Sequence, residues 1–548
     1  MAVLSRIRLR RSAAQLHALQ QVEREIRATD PHSRRKYLRE FSESYTQYKE
    51  IIAPEELDSE LLNSDILLLG DYHALPRSQQ CAAELVESLR SHNKAVVLSL
   101  EMIFARDQRH VDEWMGGGIS DEQLRQRIRH DAEWGFDWEP LRSLLTRARA
   151  AGAKICGLDC MPRGDLRRIA IRDRHAASRI ETIRLENPES VQVVLFGESH
   201  LAPQHLPKIL RSLIPEARIR VVLQNIDPLY WQAIGEKVAR VEAVRIDSDT
   251  FCVFNSTPLE KYESYRQCID RWRQDRPRGR YVRPAFANLV EALLRSLHSK
   301  NLSAELIPDA VWIDDNQALQ RLIAMPRRAL LGTGATSAEG LSQPEVAAIQ
   351  ERLQEAGCCY VPRLNLLLAR RFELQAIGEE AARFVCSAGW KEVGHPPGRE
   401  RDFYRECLRR ALVEYGAIAL CPGKAPIHED DLISLYGDDR LKLAHTIGCP
   451  EPEFVRLLDF VVLHRDYECN ARRYRAVPDL ISEGRLYGGE KFSFAVAWLG
   501  RLLGYEIYNA YLRGTITYRT VRSLFQRPNP NPKTAYFRIA GLCRSRRK

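Results

Sequence analysis

Five short apolar runs constrain this chain more than any other feature. They occupy residues 66–69, 95–100, 154–158, 191–196 and 219–223. Continuous runs of this length suit strands buried on both faces; a strand with one wet face would alternate. The stretches between them, such as 79–90 and 140–151, carry apolar residues at helical spacing. Run and helix in alternation predict βαβ units, and so an α/β fold with a largely parallel sheet flanked by helices over residues 62–255.

In such sheets, ligands bind beyond the carboxyl ends of the strands. Every run here ends in polar residues. The first leads into Gly70-Asp71-Tyr72-His73, the second into Glu101, and the third into Asp159. The fourth leads into Gly197-Glu198-Ser199-His200, and the fifth into Gln224 and Asn225. A glycine at a strand end permits a tight turn and close backbone approach. A histidine three residues later can then point into the cleft. Two such elements bring His73 and His200 together with Asp71, Glu198 and Glu101 at one sheet edge.

That set of groups admits three chemistries. Imidazole and carboxylate together suit a divalent transition metal such as zinc, manganese or cobalt. They also suit metal-free acid/base work, because clustered carboxylates drive each other's pKa values apart. An imidazole can alternatively ligate haem iron. On this reading Asp71, Glu101 and Glu198 are the catalytic carboxylates, and His73 and His200 are the metal or haem ligands. The bland reading makes both histidines helix caps or satisfied core residues. Arg77 and Arg172 are candidate clamps for a carboxylate or propionate, hence for a small acidic ligand. His205 is a candidate ligand from the first helical turn, and Asp159 a supporting acceptor. Trp114, Trp134, Trp138 and Phe136 either line a flat-ligand pocket or pack a core.

The Gly70–His73 element, the strand end Leu100-Glu101-Met102 and the Gly197–His200 element resemble the superfamily that joins ChaN haem-binding proteins, TraB-type proteins, Tiki metalloproteases and erythromycin esterases. ChaN is the nearest branch, with Arg172-Asp173-Arg174-His175 before a helix as a further shared trait. The resemblance covers about a third of the chain. It implies a haem- or metal-binding protein, or a hydrolase that is metal-dependent or metal-free. The first element departs from the family's usual Gly-Glu-x-His, with Asp71 in place of the glutamate.

The remainder of the 548 residues reads differently. Residues 1–61 form an amphipathic helical segment, 256–390 a mixed and mostly helical region, and 391–548 a helical domain. Within these, 364–386 reads as one helix, and 331–336 as a Gly/Thr loop without the Gly-Lys-Ser/Thr of a phosphate loop. A formal charge of +10 is mild for this length and does not call for a specific nucleic-acid partner. No apolar stretch reaches the roughly 20 residues of a spanning helix. No secretory pattern opens the sequence, so a cytoplasmic protein is expected. The long helical region suggests a scaffold that binds a protein partner as a further reading.

Overall fold

A computed structural model of the chain describes residues 12–29, 36–161, 169–235, 241–272, 281–300, 302, 304–324, 341–390, 399–422, 431–432, 450–469, 481, 490–527 and 530–544. The expected loop at 331–336 lies outside these residues. They divide into two units, Val22–Asp275 and Arg276–Lys548, the latter with Arg11–Gln21.

In the first unit the apolar runs become strands, and their alternate residues explain why both faces are covered. The strand β2 (Ile66–Asp71; β1 is the short Glu50–Ile51) is buried throughout. Its Leu67 and Leu69 join a core with the helices Pro76–Ser91 and Trp138–Ala150. Its Ile66 and Leu68 join a second core with the helices Ile169–Glu186 and Leu206–Leu213. Each face therefore sheds water against helices, the arrangement a parallel sheet requires.

The other strands are β3 (Ala95–Phe104), β4 (Lys154–Asp159), β5 (Ser190–Gly197), β6 (Ile219–Gln224), β7 (Ala243–Arg245) and β8 (Thr250–Val253). They lie in the order β1-β7-β8-β6-β2-β5-β3-β4. From β8 to β4 all neighbours pair in parallel, whereas β7 pairs antiparallel with both β8 and β1. The chain goes from β2 out to β3 and β4, returns to slot β5 between β2 and β3, then continues on the other side with β6. The order thus reverses around β2 and β5, where a parallel sheet opens its ligand crevice.

The second apolar run is longer than expected. Glu101 does not end it; β3 continues through Met102 and Ile103 to Phe104, with a register shift against β4 between Leu100 and Phe104. Gly157 makes this possible. A Cβ there would sit 2.6 Å from the carbonyl oxygen of Phe104, far inside van der Waals contact. The unit also runs past residue 255: the helix Pro258–Trp272 belongs to it.

The second unit is mainly helical, with a small sheet of β9 (Asp309–Trp312), β10 (Cys358–Val361) and β11 (Leu366–Ala369) in the order β10-β11-β9. The expected single helix over 364–386 is therefore wrong in its first part. Leu366-Leu367-Leu368-Ala369 pairs on both sides as a central strand, turned out of β10 by Asn365 at φ 48. An apolar run of this length cannot be told from a buried helical turn by periodicity. The helix begins at Leu374 and ends at Gly389. No helix among the described residues is long and apolar enough to cross a membrane.

Candidate functional site

The strand order places five carboxyl ends side by side, those of β6, β2, β5, β3 and β4. Glu101 stands at the centre of what they carry and is 2% exposed. Its Oε1 accepts from Arg172 Nη2 at 2.5 Å, and its Oε2 accepts from the backbone N–H of Gly197 at 2.5 Å. The two imidazoles approach from opposite sides: His73 Nε2 lies 3.8 Å from Oε2, and His200 Nε2 lies 3.7 Å from Oε1. A glycine at 197 keeps this packing free of crowding. A Cβ there would meet Glu101 Oε2 and the Cε1 and Nε2 atoms of His73, each at 3.1 Å.

Each basic side chain around Glu101 is backed by its own aspartate. His73 Nδ1 lies 2.7 Å from Asp71 Oδ2, while Gln79 donates to the other oxygen of Asp71 at 2.5 Å. Arg172 donates from Nε and Nη2 to the two oxygens of Asp159 at 2.9 and 2.8 Å. His200 Nδ1 lies 2.5 Å from Asp173 Oδ1, and the Tyr37 hydroxyl donates to Asp173 Oδ2 at 2.5 Å. A carboxylate on Nδ1 fixes the tautomer and leaves Nε2 to take or give a proton.

The electrostatics follow from this arrangement. Burial opposes the Glu101 charge, but His73, Arg172, His200 and the Gly197 N–H prevail and hold the carboxyl at about 2. Burial also opposes a His73 cation; Glu101 and Asp71 overcome it, so the imidazole is raised above its ordinary value. Burial raises the Asp71 carboxyl, against the pull of His73 and Gln79. Glu101 is thus a fixed negative charge, and the titrating partner is the His73–Asp71 pair.

Glu198 faces a different partner. Lys261, on the helix Pro258–Trp272, reaches its two oxygens at 3.0 and 3.2 Å and packs over the Tyr72 ring at 4.7 Å. Burial raises the Glu198 carboxyl against the pull of Lys261. Gln224 donates to the Gly70 carbonyl at 2.7 Å and accepts from Asn255, which locks the β6 and β2 ends together.

The other candidates are placed as follows. Arg77 extends along its own helix, 3.8 Å from Glu84. His205 lies beyond Tyr37, stacked on its ring at 3.7 Å and paired with Glu40 at 3.1 Å. Trp134 and Phe136 meet the His73 ring in T-shaped contacts with centroids at 4.5 and 5.3 Å. Trp114 and Trp138 instead pack in the core. Tyr37, Gln79 and Lys261 were not singled out by sequence reasoning, and Asp173 was noted only as part of a shared motif. The one local signal was Arg172-Asp173, two adjacent charges followed by Ala176-Ala177 on a helix whose buried face they share.

These contacts also bear on metals. Among the described residues, no group of three or more His, Cys, Asp or Glu is arranged to hold a metal ion. The geometry gives the reason: both Nδ1 atoms are committed to aspartates, and both Glu101 oxygens accept N–H groups.

Residues 57–190 match the family model described as haem-binding uptake, Tiki superfamily, ChaN. This segment is a ChaN-type domain of the Tiki superfamily. It holds Asp71, His73, Arg77, Glu101, Asp159 and Arg172, while Gly197, Glu198, His200, His205 and Lys261 lie beyond its end. No curated protein matches the chain. Solved structures similar to part of this chain include ChaN of Campylobacter jejuni, described as showing cofacial haem binding, at 18% identity over 38% of this chain and 93% of that one, with a TM-score of 0.26. The type III effector HopBA1 is similar at 14% identity over 36% and 91%, TM-score 0.29. The C-terminal region of Pasteurella multocida toxin, described as having a thiol-protease-like catalytic triad, is similar at 11% over 38% and 30%, TM-score 0.26.

Proposed function

We propose that the ChaN-type unit is an acid/base site that hydrolyses a small ligand without a metal, with His73 as the proton carrier. One observation carries this reading: two aspartate-backed imidazoles converge through Nε2 on the same clamped carboxylate, at 3.8 and 3.7 Å. Glu101, held at about 2, is too weak a base to take a proton from water. Its work is electrostatic. It holds a proton on His73, whose side chain is 24% exposed while that of His200 is 4% exposed. A bound ligand therefore meets His73 first. Protonated His73 donates from Nε2 to the leaving atom, and Asp71 keeps the ring oriented through Nδ1. His200, backed by Asp173 and Tyr37, orients or deprotonates the attacking water. The ester- and amide-cleaving relatives implied by the sequence resemblance point to that bond class.

A panel of esters and peptides, assayed with and without chelator, tests the proposal. The expected result is hydrolysis that survives the chelator and disappears in His73→Ala. Activity that persists in the double variant His73→Ala, His200→Ala sinks it.

A second reading, haem binding, is favoured by the family description and by the Trp134 and Phe136 rings beside His73. As placed, each Nδ1 faces an aspartate, and the Nε2 of His73 that is left to a ligand carries the proton Glu101 holds there, whereas iron needs a bare ring nitrogen. Axial ligation does not fit this arrangement, and no step is drawn through haem. Titration decides: a Soret band lost in His73→Ala supports this second reading, and a flat titration removes it.

A further inference from the structure

The second unit contains a cavity of about 410 Å³ whose wall is dominated by arginine. Arg352, Arg383, Arg409, Arg410 and Arg501 line it. They come from four helices: Gln343–Glu355, Leu374–Gly389, Arg399–Leu420 and Glu490–Leu512. Five guanidiniums on one cavity are costly to assemble unless something negative answers them.

The carboxylates on hand answer them incompletely. Glu379 pairs with Arg410 at 2.7 Å, with Arg352 at 3.4 Å and with Arg383 at 3.6 Å. Glu380 pairs with Arg352 and with Arg383, and spends its Oε2 on the Tyr360 backbone N–H as well. Glu406 pairs with Arg409 at 3.3 Å, and Glu414 lies 3.8 Å from Arg410 and 4.0 Å from Arg501. Among the described residues, then, four carboxylates serve five guanidiniums. Among the described residues, Nε of Arg352, Arg410 and Arg501 and Nη2 of Arg383 and Arg410 meet no hydrogen-bond acceptor, and Arg383 Nε has only Glu380 Oε2, 3.2 Å away in poor hydrogen-bond geometry. Burial pushes Arg383 below its ordinary value, and Arg352 and Arg410 add to this against the pull of Glu380. The packing protects the arrangement: a Cβ on Gly500 would lie 2.4 Å from Arg410 Cβ, so only glycine lets the Arg410 stem pass between the two long helices.

We infer that this cavity binds a small molecule through a phosphoryl group. Guanidiniums arriving from several directions match the three acceptor oxygens of a phosphoryl dianion better than the two in-plane oxygens of a carboxylate. Its volume falls within the range of small-ligand sites. Val413, Val496 and Ala497 supply an apolar wall beside the arginines, room for the organic part of a phosphate ester. The site is separate from the ChaN-type unit's acid/base cluster, and nothing in it repeats that chemistry.

The test titrates the full-length protein with pyrophosphate and with phenyl phosphate at fixed ionic strength, reading melting temperature and calorimetric heat, with sodium chloride as the control. Saturable binding of either probe, absent with chloride, is expected. A preference for phenyl phosphate marks an organic ester as the ligand type, and a preference for pyrophosphate an inorganic one. Arg410→Gln should weaken binding at least tenfold. Ala497→Glu, which breaks no ion pair and brings a carboxylate into the cavity, should abolish it and raise the melting temperature without ligand. No saturable binding by the wild-type chain overturns the inference, as does binding that Ala497→Glu leaves unchanged. The wild-type arm holds even where Arg410→Gln fails to fold.

Discussion

Replacing Glu101 by glutamine tests the centre of the site most directly, because the size of the effect can be worked out beforehand. The carboxyl is held at about 2 instead of its ordinary 4.5. At about 1.4 kcal/mol for each tenfold change in acidity, the native contacts favour the charged form by on the order of 3 kcal/mol. The pKa is depressed on folding, so this stability is fully present above pH 4.5 and is lost as the pH falls from there towards 2. Glu101→Gln keeps the shape but removes the charge, and it leaves Arg172 with Asp159 alone. At pH 7 the variant should unfold on the order of 3 kcal/mol more easily in urea, and the gap should narrow between pH 4.5 and 3. In the same variant the His73 imidazole, raised mainly by Glu101 against burial, should titrate at a lower pH when followed by histidine NMR. Equal urea midpoints for the two proteins at pH 7, or an unmoved His73 titration, would refute the account of Glu101 as a fixed charge.

Further outcomes follow from the same contacts. His73 is raised on folding, so its contribution to stability is complete below its ordinary value of 6.5 and is lost as the pH rises through the folded value; activity that uses His73 as an acid should fall over that same rise in a pH–rate profile. Lys261→Met strands Glu198, a largely covered carboxylate that is 15% exposed, and should cost up to about 3 kcal/mol in chemical denaturation, most of it recovered by adding Glu198→Gln. Gly197→Ala forces its methyl against Glu101 and His73 and should cost about 1–3 kcal/mol, with a larger proportional loss in turnover than in substrate affinity. Asp173→Asn removes the acceptor that orients His200 and should lower turnover more than Tyr37→Phe does, as steady-state kinetics on a responsive substrate would show.

The sheet and its polar edge were legible because the evidence lay in short local runs. Ile66–Asp71 is apolar until its last residues, and so are its neighbours, which makes their burial and parallel pairing readable without coordinates. The partners of the site were less legible. Tyr37 and Lys261 sit on amphipathic helices where a single polar residue on the inner face does not stand out against its pattern. The direction of each partnership was hidden as well. Glu198 lies beside His200 in sequence, yet its carboxylate reaches Lys261, while His200 finds Asp173 across 27 positions. Such pairings depend on which helix returns over which strand, and no local window records that. The misread at Leu366–Ala369 has a related origin: four apolar residues fit a strand and a helical turn equally until the pairing partner is known.

The late return of β5 has a consequence for how this domain can be cut or moved. The family-matched segment stops at residue 190, where β5 begins, and β5 lies between β2 and β3. A fragment ending there would not lose a dispensable edge; it would have a slot through the middle of its sheet, with β2 and β3 lacking their shared neighbour and Glu101 lacking Gly197 and His200. The smallest transplantable piece therefore extends through Pro258–Trp272 and its Lys261. Chimaeras or split halves joined at 190 should fold only when the second piece supplies that missing strand.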